Sequence, residues 1–172
     1  ILYRLVGSEM CIRDSIDTVA GVAGITAGTL NLTAAGVISD TAALSVSGTA
    51  TFDAGGTNAT ANAITLDNSS NDFQTLVISQ GGDVVVEDSN ALALQGTASG
   101  TLDVTAGGVL SLSGALSSGG TTNLTSTATD GGAVTFNQNT QTLTSSAGAL
   151  TITADDMTLD GTIAASGQSV TL

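Results

Sequence analysis

The chain has 172 residues, enough for one domain with a sizeable core, but it contains only three Phe, one Tyr and no Trp, so Val, Leu, Ile and Ala must fill that core. Fifteen acidic residues against two Arg, with no Lys and no His, give a net charge of −13, which repels phosphate backbones and anionic membranes and argues against nucleic-acid binding. The single Cys gives no disulfide framework, and no apolar run approaches the ~18 residues that would insert this segment into a membrane.

The first fifteen residues, ILYRLVGSEMCIRDS, share nothing with the rest of the chain, and they contain both Arg, the only Cys and the only Tyr. Val6 to Asp14 resembles the in-frame translation of a transposase sequencing adapter, so we interpret residues 1–15 as an artefact that is not native. The alternatives are an ordinary N-terminal segment and the basic region of a signal peptide, whose apolar region is missing. Residues 16–172 are then the native repeat segment.

From Ile16 to Gly28 the sequence is small and apolar with weak alternation, which predicts a frayed first unit. From Thr29 onward, short runs carry apolar side chains at every second position, and this period of two predicts half-buried strands. The runs are TLNLTA, ALSVSG, TATFDA, AITLDN, TLVISQ, DVVVED, ALALQG, TLDVTA, VLSLSG, TTNLTS, AVTFNQ, QTLTSS, ALTITA, MTLDG and SVTL. The longest irregular pieces between them, Gly55 to Asn62 and Asn68 to Phe73, predict loops.

These runs repeat one another around the stretch from Thr101 to Gly114. Asp83 to Gly96 matches that stretch without a gap at an offset of 18 in the numbering, GALTITADDMTLDG matches it at 48 after one deletion, and Gly28 to Ala54 matches Gly100 to Ser126 at 72. The pairs predicted to be equivalent are Val84 with Leu102, Val86 with Val104, Leu92 with Leu110, Leu94 with Leu112, Gly96 with Gly114, and, at the longest offset, Leu30 with Leu102. Two of the three offsets are multiples of 24, so we predict an array of related short-strand units.

Two architectures fit such an array. In a parallel β-helix, successive coils stack about 4.8 Å apart, whereas in a tandem antiparallel sandwich Gly107-Gly108 would be a hairpin turn. The positions matched to this pair are Ala35-Gly36, Ser89-Asn90 and Asp155-Asp156. Since two-residue hairpin turns do not readily take Ala or Ser at positive φ, the pattern favours the β-helix.

We therefore predict an all-β fold, a parallel β-helix (solenoid) of short strands with roughly 6–8 coils. The coil from Thr101 to Leu124 is predicted to turn six apolar side chains inward: Leu102, Val104, Leu110, Leu112, Leu116 and Leu124. Because neither end shows a polar cap, we expect a fragment without caps, whose partners are further β-helix coils of the same polypeptide at both ends.

The stretch from Ala63 to Leu116 resembles the repeat regions of filamentous haemagglutinin-like exoproteins and large autotransporter adhesin passengers. The resemblance lies in Ile64-Thr65-Leu66 with Asn71-Asp72-Phe73, in Asp88-Ser89-Asn90-Ala91-Leu92, in Gly100-Thr101-Leu102 and in Gly114-Ala115-Leu116. It implies a right-handed parallel β-helix that forms a stalk on the cell surface of a Gram-negative bacterium, exported by two-partner or autotransporter secretion. No functional residues are carried over, because these repeats have none in fixed positions.

Candidates for chemistry are few. Hydroxyl nucleophiles need an adjacent base, and the sequence has no His or Lys to supply one, so we predict no enzyme and no catalytic residues. Asp155 and Asp156 form an adjacent carboxylate pair that could in principle carry out acid–base catalysis, but neighbouring strand residues point to opposite faces. No cofactor is predicted. Weak calcium candidates, with the oxygen ligands that calcium prefers, are Asp83, Glu87, Asp88 and Asp103.

The leading hypothesis is a non-catalytic stalk segment of a large secreted adhesin that displays binding regions located elsewhere. The alternative is a carbohydrate- or calcium-binding module that acts on host or environmental glycans or surfaces through the loops at Gly55 to Asn62 and Asn68 to Phe73. Sequons for N-glycosylation occur at Asn31, Asn58, Asn68 and Asn123 and remain a hypothesis, since a chain rich in Asn and Thr contains them by chance.

Overall fold

The computed structural model describes residues 9–13, 19–22, 24–55, 61–128, 131–136, 138, 140–165 and 167–172. Over these ranges the regular secondary structure is β-strand and no helix occurs. Alternation of apolar and small polar side chains explains this, because it suits a pleated, half-buried backbone and never reaches a helical period. The strands are β1 (Glu9–Arg13), β2 (Val19–Val22), β3 (Thr26–Ala27), β4 (Thr29–Thr33), β5 (Ile38–Asp40), β6 (Ser45–Asp53), β7 (Ile64–Leu66), β8 (Asp72–Gly81), β9 (Val84–Asp88), β10 (Leu92–Ala98), β11 (Leu102–Ala106), β12 (Leu110–Ser118), β13 (Thr122–Ser126), β14 (Ala133–Phe136), β15 (Thr142–Ser145), β16 (Leu150–Thr153), β17 (Asp156–Leu159), β18 (Thr162–Ala164) and β19 (Val170–Thr171).

The strand pairings between described residues are all parallel. Sheet B has eight strands in the order β19-β16-β13-β11-β9-β7-β5-β2, and the other strands form the eleven-stranded sheet A. The chain passes from one sheet to the other and back, with two successive strands in sheet A at β3–β4, β14–β15 and β17–β18, so that each winding crosses both sheets before it stacks on the previous one. The result is a β-solenoid of about seven turns, which confirms the predicted parallel β-helix and excludes the antiparallel sandwich.

The predicted register holds between the windings that begin near Asp83 and Thr101. Val84 pairs with Leu102 and Val86 with Val104 in sheet B. Leu92 pairs with Leu110 and Leu94 with Leu112 in sheet A, so this winding repeats as predicted up to Leu94.

Beyond Leu94 the prediction is wrong, because Gly96 pairs with Leu116 and not with Gly114. Strand β12 carries two more residues than β10 between the matched positions, and the register shifts there as a bulge. Gly96 consequently lies in an inward-facing column between Ile78 and Leu116, with a φ of 132°.

The equivalence predicted at the longest offset, between Leu30 and Leu102, is also wrong. Leu30 belongs to β4 in sheet A and Leu102 to β11 in sheet B, so the two residues matched at the longest offset lie on different faces of the solenoid. Nor do the windings share the common length that those offsets suggest. The winding from Val84 to Leu102 is much shorter than the winding from Thr122 to Leu150.

Inward-facing side chains form columns that run from winding to winding. One column in sheet B runs Ile38, Ile64, Val84, Leu102, Thr122, Leu150 and Val170. All six residues predicted to face inward from the coil at Thr101 are buried. Phe52 and Phe73, both fully buried, meet edge to face with ring centroids 6.1 Å apart.

The two predicted loops fare differently. Most of Gly55 to Asn62 lies outside the described residues. Asn68 to Phe73 does begin with a turn, but Asp72 already starts β8 and Phe73 belongs to the core. The proposed boundary at residue 15 stays a prediction; β1, which lies within the stretch interpreted as an artefact, pairs with β4 from Glu9 opposite Thr29 to Arg13 opposite Thr33.

Candidate functional surfaces

A buried polar cluster fills one corner of the solenoid, where the chain passes from sheet B to sheet A. We call Asp40, Asn71 and Asp88 the polar corner. The Asn71 side chain is fully buried: its Oδ1 accepts a hydrogen bond from the Leu44 backbone N–H at 2.8 Å, and its Nδ2 donates to Asp40 Oδ2 at 2.7 Å and to the Leu66 carbonyl at 3.2 Å. A single amide thus ties two successive windings together, since Asp40 and Leu44 belong to one winding and Leu66 belongs with Asn71 to the next.

Asp88 performs a similar task one winding further on. Its Oδ2 accepts from the Phe73 backbone N–H at 2.7 Å and its Oδ1 from the Asn90 N–H at 3.0 Å. The first donor lies at the beginning of β8 and the second in the turn before β10, and a buried donor left unpaired is costly. The Asp88 carboxylate therefore caps the beginning of β8.

Burial raises the pKa of both carboxyl groups. Desolvation is the largest cause for Asp40, and the hydrogen bond from Asn71 opposes it. Desolvation is also the largest cause for Asp88, opposed by the Phe73 and Asn90 amides. The nearby charges of Asp67 on Asp40 and of Asp72 on Asp88 raise the pKa further. In the polar corner, two buried carboxyl groups with raised pKa values thus accept hydrogen bonds from side-chain and backbone amides.

The four calcium candidates do not converge. Asp83 lies in the exposed turn before β9, where its Oδ1 accepts from the Thr101 N–H at 2.8 Å and from the Thr101 hydroxyl at 2.9 Å, and these bonds lower the pKa of the carboxyl. Glu87 and Asp103 lie on the outer side of sheet B but in different rows, since Glu87 pairs with Thr105 and Asp103 with Val85. Asp88 is buried in the polar corner.

Within the described part of the chain, no group of three or more His, Cys, Asp or Glu residues is placed to hold a metal ion. Calcium binding by these residues stays a prediction that needs a titration. Asp155, in the turn before β17, and Asp156, the first residue of β17, are both exposed, and their backbone N–H groups share the Gly132 carbonyl at 3.1 Å.

The outer faces carry small polar side chains in register. One row along sheet A consists of Thr49, Thr75, Ala93, Ser111, Thr135 and Thr158, none of which is charged. This row of sheet A is therefore a neutral surface on a chain of strongly negative net charge.

No helix in the described ranges is long and apolar enough to cross a membrane.

Sequence reasoning missed the role of Asn71, which it placed in a loop. The sequence offers little signal, because Asn71 follows Asn68, Ser69 and Ser70, turn residues of similar type that the fold leaves exposed or half-buried. A buried amide at such a place satisfies backbone groups that the neighbouring windings leave open.

Similarity to known proteins is confined to a repeat family. No curated protein and no solved structure is significantly similar to the chain. A family model matches twice in succession, over residues 10–80 and 81–145, and the junction falls at the end of β8. These matches cover most of the chain, which therefore belongs to the family described as Repeats of unknown function (DUF5649).

Proposed function

We propose that the chain is a structural stalk segment of a large secreted bacterial surface adhesin and that it is non-catalytic. The observation that carries the proposal is the stacking of inward columns through successive windings, such as the column from Ile38 to Val170. Each winding presents apolar side chains above and below, so the natural neighbour of a winding is another winding. A structure built in this way supplies length and stiffness.

The chemistry of the chain supports the same proposal. The sequence has no Lys or His, and the carboxylates of Asp88 and Asp83 accept hydrogen bonds from the backbone amides of Phe73 and Thr101 at two separate places. At a spacing of about 4.8 Å per winding, seven windings add roughly 34 Å to a rod. We infer that further coils of the same polypeptide extend this rod on both sides.

The proposed location is the cell surface of a Gram-negative bacterium. The resemblance of the repeat words to filamentous haemagglutinin-like and autotransporter proteins supports it, as does a composition rich in Gly, Thr, Ser and Asn. The binding regions of the adhesin would lie outside this segment.

The proposal is tested in the source bacterium and on the isolated chain. Antibodies against residues 61–128 should label the surface of intact cells, and replacing the segment by an unrelated solenoid of equal length should leave adhesion unchanged. A glycan array probed with the isolated chain should be blank, and its melting should not respond to micromolar calcium. Glycan binding that depends on the loop at Asn68, or loss of adhesion after an equal-length replacement, would instead support the carbohydrate- or calcium-binding module.

A further inference from the structure

The described sequons differ in how the fold presents them. Asn31 lies within β4 and Asn123 within β13, and in both cases the middle residue of the sequon is a buried Leu. The backbone of both segments is held in parallel ladders with neighbouring windings. Asn68, in contrast, lies in the turn between β7 and β8, followed by the exposed residues Ser69 and Ser70.

The turn at Asn68 is tightly closed. The Asn68 carbonyl accepts from the Asn71 N–H at 2.9 Å, and the Asn68 Oδ1 accepts from the Ser70 N–H at 3.0 Å, which makes an Asx turn within the sequon. The Asn68 backbone N–H also bonds to Asp40 of the polar corner. The loop is therefore anchored at both ends by buried groups, while Asn68 is half-buried and the other two residues of the sequon, Ser69 and Ser70, are exposed.

The chemistry of the side chain follows from this geometry. Because the Ser70 amide binds Oδ1, the side-chain amide of Asn68 is held in one orientation, while Nδ2 makes no hydrogen bond to the described residues. The hydroxyl two residues on, which N-glycosylation requires, is exposed on Ser70. An acceptor held in one conformation also saves a transferase the entropy of ordering it.

We propose that Asn68 is an acceptor site for N-linked glycosylation of the folded chain, with a diphosphate-activated sugar as donor. The Nδ2 atom forms a bond to the anomeric carbon, the bond from that carbon to the diphosphate oxygen breaks, and the diphosphate leaves with the electron pair. The proton from Nδ2 passes to a base of the transferase. The proposal concerns a modification and does not depend on the chain being a stalk.

The experiment uses the whole folded chain, in an Asn58→Gln background so that the sequon outside the described residues does not contribute. One arm contains UDP-glucose and a soluble asparagine glycosyltransferase, and the other contains a lipid-diphosphate oligosaccharide and a membrane oligosaccharyltransferase. Intact mass and peptide mapping are the readouts. We expect one added sugar or glycan per chain, on Asn68, in one of the two arms, and that arm identifies the source of the donor.

Matched variants separate the sequon from the fold. Asn68→Gln and Ser70→Ala should abolish the mass gain, whereas Ser69→Ala and Ser70→Thr should retain it. The three serine variants should melt like the parent chain because these side chains are exposed, and Asn68→Gln should melt slightly lower because it loses the bond from the Ser70 N–H. No mass gain in either arm, or a gain on Asn31 or Asn123 in preference to Asn68, overturns the proposal. So does modification of urea-unfolded chain alone, because the folded turn would then be a poor acceptor.

Discussion

Thr122 offers the sharpest test of the stacked core. Its side chain is fully buried in the sheet B column between Leu102 and Leu150, and among the described residues its Oγ1 is the buried side-chain atom that has no hydrogen-bond partner. A buried, unpaired hydroxyl costs about 1–3 kcal/mol. Thr122→Val keeps the shape and the β-branched backbone preference while removing that cost.

We expect Thr122→Val to raise the free energy of unfolding by about 1–3 kcal/mol, which for a chain of this size raises the melting temperature by roughly 2–12 °C. Thr122→Ser is the matched control, since it keeps the hydroxyl and loses the methyl group, and it should lower the free energy by about 1 kcal/mol. Urea unfolding followed by far-UV circular dichroism measures both. A Thr122→Val chain no more stable than the parent would refute the reasoning, because it would mean that the hydroxyl is paired.

Three further predictions concern a glycine, the buried acids and the surface charge. Gly96→Ala should lower the free energy of unfolding by about 3 kcal/mol or more, because φ is 132° and a methyl group would meet the Ile78 backbone. In the same urea unfolding assay the control Gly114→Ala should lower it by about 1 kcal/mol or less, because the methyl group meets only the flexible Gln95 side chain. The pKa values of Asp40 and Asp88 are raised in the folded chain, so their contribution to stability is complete below the unfolded pKa of about 3.9 and is lost as pH rises through the folded pKa. The free energy of unfolding in high salt should therefore fall from acid towards neutral pH, and a value that does not change with pH would contradict this. At neutral pH the melting temperature should rise with sodium chloride, which screens the net charge of −13, and a melt indifferent to salt but responsive to micromolar calcium would argue for bound metal instead.

The sequence predicts the strands well because each strand is specified locally. Alternation marks which side chains turn inward, and Leu102, Val104 and Leu110 are buried as that alternation requires. The gap-free match of the segment at Asp83 to the segment at Thr101 also predicts the stacking of Val84 on Leu102, since consecutive windings there have nearly the same length.

What the sequence cannot specify is the face to which a strand belongs. Both sheets use the same alternation, so Leu30 in sheet A and Leu102 in sheet B look alike although they lie on different faces. A glycine that matches in the sequence also need not occupy an equivalent position in the fold. Gly96 and Gly114 fall together in the sequence, but of the two only Gly96 has a backbone conformation that requires glycine, and its partner in the column is Leu116.

The same reasoning explains why the polar corner could not be predicted from the sequence. Strand positions are tied to the columns, so differences in winding length must be absorbed between strands, as the short winding that begins at Val84 and the long one that begins at Thr122 illustrate. The corners are therefore where backbone groups lose their regular partners, and buried side chains such as Asn71 and Asp88 replace those partners. Which donors and acceptors are left unpaired at a corner depends on which segments of neighbouring windings meet there. The register of the whole stack determines this, and a local sequence pattern does not contain that information.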